Sequence, residues 1–144
     1  ESIGKKNRGV TPLHAIGTTD QHSQLQLYLD GPKDKFFTFI KSNYRNKGLR
    51  IDNEIMREVS VNYLINKTMG DLMHAEQDAT IDTFKLNNFK FREILFNEIN
   101  EEAMGTLMAV SIMETIAACI YFGVDPFDQP AVEQGKILTK KYLS

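Results

Sequence analysis

Cysteine is almost absent: Cys119 is alone in 144 residues. No disulfide can close within the chain, and a single thiol inside an apolar run reads as the reduced, buried residue of an intracellular protein. No cysteine pair is available for zinc, and His14, His22 and His74 lack metal-ligand spacing. A Walker loop and a glycine-rich dinucleotide turn are also missing. Basic residues number 17 against 19 acidic ones and are scattered among them, so no cationic stripe suggests nucleic acid. Repeats and low-complexity tracts are absent. No charged-then-apolar leader follows Glu1, so no signal peptide is expected. A chain that begins with Glu rather than Met reads as a fragment or a processed product.

One long apolar run is present, from Ala103 to Val124, with Glu114 as its only charge. A carboxylate at the centre of a membrane span costs about 2–3 kcal/mol, and the Ala, Gly, Ser and Thr of this run offset little of it. Basic flanks are missing as well. The run is therefore expected to be a buried core helix rather than a membrane span.

The length suits one domain, or part of one, around a single core. Residues 1–18 read as irregular. Thr18, Thr19 and Asp20 offer N-caps for a helix carrying His22, with Leu25, Tyr28 and Leu29 as its inner stripe and Gly31-Pro32 as its stop. The segment Lys35 to Lys41 reads as a strand buried on both faces. A polar connection from Ser42 to Asn53 follows, with a short helix near Asn53. A longer helix is expected from Val61 to Phe84, its stripe made by Val61, Ile65, Thr68, Leu72, Ala75 and Ala79. After Asn87-Asn88, the stretch Phe89 to Phe96 reads as a second strand. Asn100 caps the apolar helix from Glu101 to Phe122. Asp125 to Asp128 is a loop, because Pro126 disfavours helix at Asp125, and Pro130 opens a last helix to Tyr142. Two strands make no stable sheet alone, so the rest of a sheet is expected outside this chain.

Taken singly, the residues able to do chemistry have ordinary explanations. His22 lies in the first turn of its expected helix, where the helix dipole favours the neutral imidazole that can exchange a proton with a hydroxyl; an exposed histidine near a cap would look the same. Lys136 after Gly135 reads as a solvated lysine, Gln129 as a turn residue, Glu1 as a terminal residue and His74 as a helix-flank residue.

Three segments in order change the reading. They are Glu1-Ser2-Ile3-Gly4-Lys5, then Gly17-Thr18-Thr19-Asp20-Gln21-His22-Ser23-Gln24-Leu25, then Gly123-Val124-Asp125-Pro126-Phe127-Asp128-Gln129-Pro130-Ala131-Val132-Glu133-Gln134-Gly135-Lys136. Together they resemble the phosphoglucose isomerase (glucose-6-phosphate isomerase) family, in particular its shorter bacterial forms. The resemblance covers essentially the whole chain; the third motif is long and specific, the first short and weak alone. Ala131 stands where the family signature usually has Gly, a change that matters only if the backbone there needs a positive φ.

The resemblance implies an α/β fold: the C-terminal part of a three-layer α/β/α sugar-isomerase (SIS-type) sandwich, helix-rich with few strands. On that reading residues 1–144 are the C-terminal portion of the isomerase. Residues 1–41 would end an SIS-type domain with the Glu1 and His22 segments, and residues 42–144 would be a helical remainder carrying the signature. The implied reaction interconverts glucose 6-phosphate and fructose 6-phosphate through a cis-enediol. Glu1 matches the family's catalytic base, His22 the histidine that assists ring opening, Lys136 the lysine near the ring and C1 oxygens, and Gln129 a glutamine lining the substrate site. No metal and no cofactor are implied. The implied partners are a sugar-phosphate substrate and a second protomer of a cytoplasmic homodimer, with His22 reaching the site from that protomer. The family's Ser/Thr-rich phosphate loop and the Arg beside its base are not in this sequence and would lie upstream of Glu1, so the chain alone is expected to be inactive. The alternative is a non-catalytic sugar-phosphate-binding domain of the same fold.

Overall fold

The structure is a computed structural model that describes residues 1–52 and 59–144; the short helix expected near Asn53 lies outside the described residues. In chain order the elements are α1 (Thr19–Ser23), α2 (Leu25–Asp30), β1 (Phe37–Ser42), a 3-10 turn (Val59–Leu64), α3 (Met69–Leu86), β2 (Phe91–Phe96), α4 (Glu101–Phe122) and α5 (Pro130–Leu143). The chain divides into two units. One comprises His14–Ile99; the other joins Glu1–Leu13 to Asn100–Ser144.

The His14–Ile99 unit is built on a parallel pair of strands. β1 and β2 run in register from Phe37 opposite Phe91 to Ser42 opposite Phe96, and the long connection between them carries α3, as parallel pairing demands. Phe37 and Phe39 leave β1 on one face, where Phe84 of α3 meets both edge-on, with ring centroids 4.7 and 5.1 Å away. Phe89 and Phe91 complete the cluster, and Tyr28 of α2 packs its ring edge against Phe37. Phe84 and Ile81 are fully buried. Thr38 and Ile40, on the other face of β1, are exposed. The strand expected to be covered on both faces is therefore covered on one, because these residues supply a single layer over the sheet.

The start of α3 departs from the expected Val61–Phe84 helix. Asn66 adopts a left-handed φ of 64°, which ends the 3-10 turn, and Thr68 is extended. Thr68 belongs to no stripe; it is the N-cap. Its hydroxyl accepts the Asp71 N–H at 3.1 Å while the Asp71 carboxylate accepts the Thr68 N–H at 2.8 Å, a reciprocal capping box. Asp71 also accepts the Asn46 N–H at 3.0 Å. The Gly70 N–H donates to the Lys47 carbonyl at 2.9 Å. A Cβ on Gly70 would fall 1.9 Å from the Tyr44 carbonyl oxygen, so this close approach requires glycine.

In the other unit α4 begins and ends as its sequence predicts. The Asn100 side chain accepts the Ala103 N–H at 2.9 Å. At the far end Gly123 takes φ 66° and donates to the Ile120 carbonyl, and Val124 donates to that of Cys119. These two bonds make a Schellman ending, with Val124 and Cys119 both buried beneath it. Cys119 is thus the buried free thiol that its setting predicts. The rest of α4 is not the buried core helix expected of it. Cys119 is its one fully buried residue, and Met104, Met108, Ile112, Met113 and Ile120 are exposed. Pro130 occupies the first turn of α5, where its missing N–H leaves no bond unmade.

Candidate active site

The first and third motifs meet in space. Residues 1–8 form a tight succession of turns: the Gly4 N–H donates to the Glu1 carbonyl at 2.9 Å, and the Arg8 N–H to that of Lys5 at 2.8 Å. Lys6 and Asn7 take left-handed φ values of 51° and 57° between them. This coil aims two ammonium groups at the loop after α4. Lys5 Nζ lies 2.6 Å from a carboxylate oxygen of Asp128 and also donates to the Asp125 carbonyl. Lys6 Nζ donates to the Gly123 carbonyl at 3.0 Å. The Lys5 side chain is 13% exposed and that of Asp128 55%, so the cation is mostly sheltered while its partner still meets water. Within the loop, the Asp125 carboxylate accepts the Phe127 N–H at 2.8 Å, which fixes the turn leading into Gln129 and α5.

Around this clasp lies an open cleft of about 500 Å³, lined by Gly4, Lys5, Lys6, Asp125, Asp128 and Ala131 among others. That volume is within the range of small-molecule sites, roughly 300–1,000 Å³. Ala131 is helical, at the second position of α5, and takes no positive φ. The Gly of the family signature is therefore not required here by backbone conformation.

Glu1, Gln129 and Lys136 all belong to this unit and all are exposed. None of the three lines the cleft. Gln129 is the N-cap residue of α5, where its side chain makes no capping bond. Lys136 Nζ is 2.6 Å from the Glu133 carboxylate one turn earlier. Exposed pairs of this kind stabilise a helix by about 0.2–0.5 kcal/mol, so Lys136 can leave Glu133 for a stronger anion at little cost.

His22 belongs to the His14–Ile99 unit. The helix expected to run on through Leu29 is broken at Gln24 into α1 and α2, because the backbone of Gln24 leaves the helical region. His22 thus sits in the last turn of a five-residue helix rather than in the first turn of a longer one. What fixes α1 is its neighbours. The Gln21 side-chain amide donates to the Thr80 hydroxyl of α3 at 2.8 Å, and the Asp20 carboxylate accepts the Ile16 N–H at 2.6 Å. That backbone bond is the main reason the Asp20 carboxyl lies below its usual range. His74, in α3, places Nε2 3.4 Å from Asp78.

Lys5, Lys6 and Asp128 were not singled out by sequence reasoning. Lys5 and Asp128 stand inside the quoted motifs and Lys6 directly after the first, but the bond from Lys5 to Asp125 spans 120 positions. A second cleft, of about 600 Å³, lies in the His14–Ile99 unit among Arg45, Arg50, Tyr63 and Lys67. It includes no residue of the three motifs.

No protein-family model matches the chain. It is 38% identical over 144 residues, its full length, to a probable glucose-6-phosphate isomerase of Methanococcus maripaludis. It is 38% identical over 139 residues to the glucose-6-phosphate isomerase of Rubrobacter xylanophilus, and 33% identical over 149 to that of Thermus thermophilus. Each alignment takes in 96–100% of this chain but only 32–36% of the relative. The chain therefore spans about a third of the length of the proteins it matches.

Proposed function

Since this chain is homologous to the glucose-6-phosphate isomerases and corresponds to a portion of them, we propose that it is the C-terminal part of an enzyme interconverting glucose 6-phosphate and fructose 6-phosphate. The single observation that carries the reading is 38% identity sustained over all 144 residues. The clasp supports it, because Lys5 and Asp128 join the motif that holds Glu1 to the motif that holds Gln129 and Lys136.

In the proposed reaction the Glu1 carboxylate takes the proton from C2 of the open-chain aldose. A cis-enediol(ate) forms, and the same carboxylic acid returns the proton to C1, so the exchange is internally balanced and consumes no oxidant. His22 moves the proton that opens the hexose ring. Lys136 leaves Glu133 to face the oxygens on which negative charge develops, where a cation acts most strongly once water is excluded. Gln129 lines the sugar. Residues 1–41 close an SIS-type domain and residues 42–144 form its helical remainder. The full-length protein is a cytoplasmic homodimer in which His22 serves the partner's site.

Binding of the phosphate orients the sugar over the base, and that part of the site is not in this chain. The isolated 144 residues are therefore expected to leave glucose 6-phosphate unchanged. The test is turnover by an isomerase-length protein containing this sequence. Glu1→Gln should lower kcat by at least about 100-fold while the protein stays folded, the scale of a lost general base. Unchanged turnover in folded Glu1→Gln protein would remove Glu1 from its role. Sugar-phosphate binding without any turnover would favour the non-catalytic alternative.

A further inference from the structure

His22 extends from a helix that cannot hold itself. α1 has five residues, well short of the roughly 12–15 below which isolated helices are marginal in water. The break at Gln24 parts it from α2, whose own anchor is Tyr28 against Phe37. Side chains must therefore set the direction of α1. Two of its bonds are local: the Asp20 carboxylate accepts the Ile16 N–H at 2.6 Å and the Ser23 hydroxyl at 3.2 Å. Partners this near in sequence close the turn, but they move with it and cannot fix it against the rest of the unit.

Among the described residues, one side-chain bond of α1 leaves the segment. The Gln21 amide donates to the Thr80 hydroxyl at 2.8 Å, half-buried, across 59 positions. That hydroxyl has a single proton, which is already donated within α3 to the Glu76 carbonyl at 2.8 Å. Thr80 therefore meets Gln21 as an acceptor, and this points the NH2 end of the amide at it. Gly17 leaves the amide its place: a Cβ there would come to 3.3 Å from Gln21 Nε2. Thr80 is itself firmly held, because it precedes the buried Ile81 and stands one turn before the buried Phe84, on the helix that the capping box begins. Both ends of the bond lie within the His14–Ile99 unit. Successive side chains leave an α-helix about 100° apart. With Gln21 turned to α3, His22 is turned outward, and it is exposed.

We propose that Thr80 is a positioning residue for His22. Acting through the Gln21 amide, it sets the rotation of α1 on α3, and with it the direction from which the imidazole approaches the sugar. The proposal rests on the reading of His22 as the group that moves the ring-opening proton. Thr80 stands outside the three motifs, so its part in the site comes from the fold alone.

The test uses an isomerase-length protein containing this sequence. Thr80→Val keeps the shape of the side chain and removes the acceptor. Its kcat for glucose 6-phosphate should fall about 10–100-fold, the cost of a misplaced acid–base group, with KM within about two-fold of the parent. The midpoint of thermal unfolding should fall by no more than about 4 °C, the scale of one neutral hydrogen bond. Thr80→Ser keeps the hydroxyl and should restore most of kcat. Gln21→Met cuts the same bond from the other side and should repeat the loss, so the bond is tested even where Thr80→Val folds poorly. In a His22→Gln background Thr80→Val should cost nothing further, because the group it positions is gone. An equal loss in that background would overturn the proposal, as would full kcat in folded Thr80→Val or a loss that Thr80→Ser leaves unrestored. Orientation is also read without substrate, from the ring-carbon NMR signal of isotope-labelled histidine that His22→Gln removes. At constant pH this signal should shift or broaden in Thr80→Val and return in Thr80→Ser; an unmoved signal would overturn the proposal. A protein that turns over no sugar phosphate counts against the function proposed above, and the imidazole signal then decides by itself whether Thr80 orients His22.

Discussion

Lys5 holds the ends of a long chain segment together with one ammonium group. Its partners are the Asp128 carboxylate at 2.6 Å and the Asp125 carbonyl. Hydrogen bonds to charged groups contribute about 1.5–3 kcal/mol when sheltered, and half-exposed partners bring that down through solvent screening. Lys5→Met keeps most of the stem and removes the charge, and it leaves Asp128 free to meet water. The expected cost is about 1 kcal/mol, read by urea unfolding with a probe in α4 or α5. The more telling result would come from an isomerase-length protein. There Lys5→Met should lower kcat more than it raises KM, because Glu1 and the loop to Gln129 lose a common anchor. A variant with full kcat would mean that the clasp does not position either motif. The same bond marks where reading residues in sequence stops. Gly4, Lys5, Asp125 and Asp128 could be quoted as parts of motifs, but which lysine met which aspartate depends on a fold that brings together positions more than a hundred apart.

At the scale of elements, legibility followed the locality of the cause. Asn100, Gly123 and Pro130 act within a turn or two of themselves, and the ends of α4 and the start of α5 lie where those residues place them. α3 was misjudged at its start because apolar spacing runs on through Val61 and Ile65, while Asn66 turns left-handed and Thr68 spends its side chain on a cap. The coverage of β1 was misjudged for a different reason. Strand sequence reports that both faces suit burial, but whether a second layer arrives depends on chain that these residues do not contain. The layer that is present depends heavily on Phe84, which touches Phe37, Phe39 and Phe89 at 4.7, 5.1 and 5.2 Å between centroids. Phe84→Ala is expected to cost about 3–5 kcal/mol through lost burial and the cavity left behind. Near-ultraviolet circular dichroism and denaturant unfolding would register it. Phe84→Leu should recover much of the loss, and an alanine variant as stable as the parent would show that α3 does not rest on this ring.

At the scale of the molecule, titration concentrates in the His14–Ile99 unit. Asp71 is held down to about 2, first by the Thr68 N–H and then by the Asn46 N–H. Glu93 lies below its usual range chiefly through its bond to Lys41, and Lys41 is raised chiefly by the same bond, at 2.8 Å. Asp20 and Asp34 are also lowered, by the Ile16 N–H and by Lys35 respectively. A carboxylate whose folded value is depressed binds fewer protons in the folded state than in the unfolded one, so stability rises with pH across its range. Its contribution is complete above the unfolded value, 3.8 for Asp71, and is lost as pH falls toward about 2. Lys41 works in the opposite sense: its contribution is complete below its ordinary value of 10.5 and is lost as pH rises through the raised one. The unit should therefore be most stable on a plateau between these limits, with an acid limb set largely by Asp71. Unfolding midpoints measured from pH 2 to 7 test this directly. Asp71→Asn should lower the plateau, because the amide is a weaker acceptor for two backbone donors, and should flatten the limb between about pH 4 and 2. An acid limb of unchanged steepness in the variant would place the dominant proton uptake on Glu93 or its neighbours, and the capping box would then be a local feature of α3 without a share in the acid response of the unit.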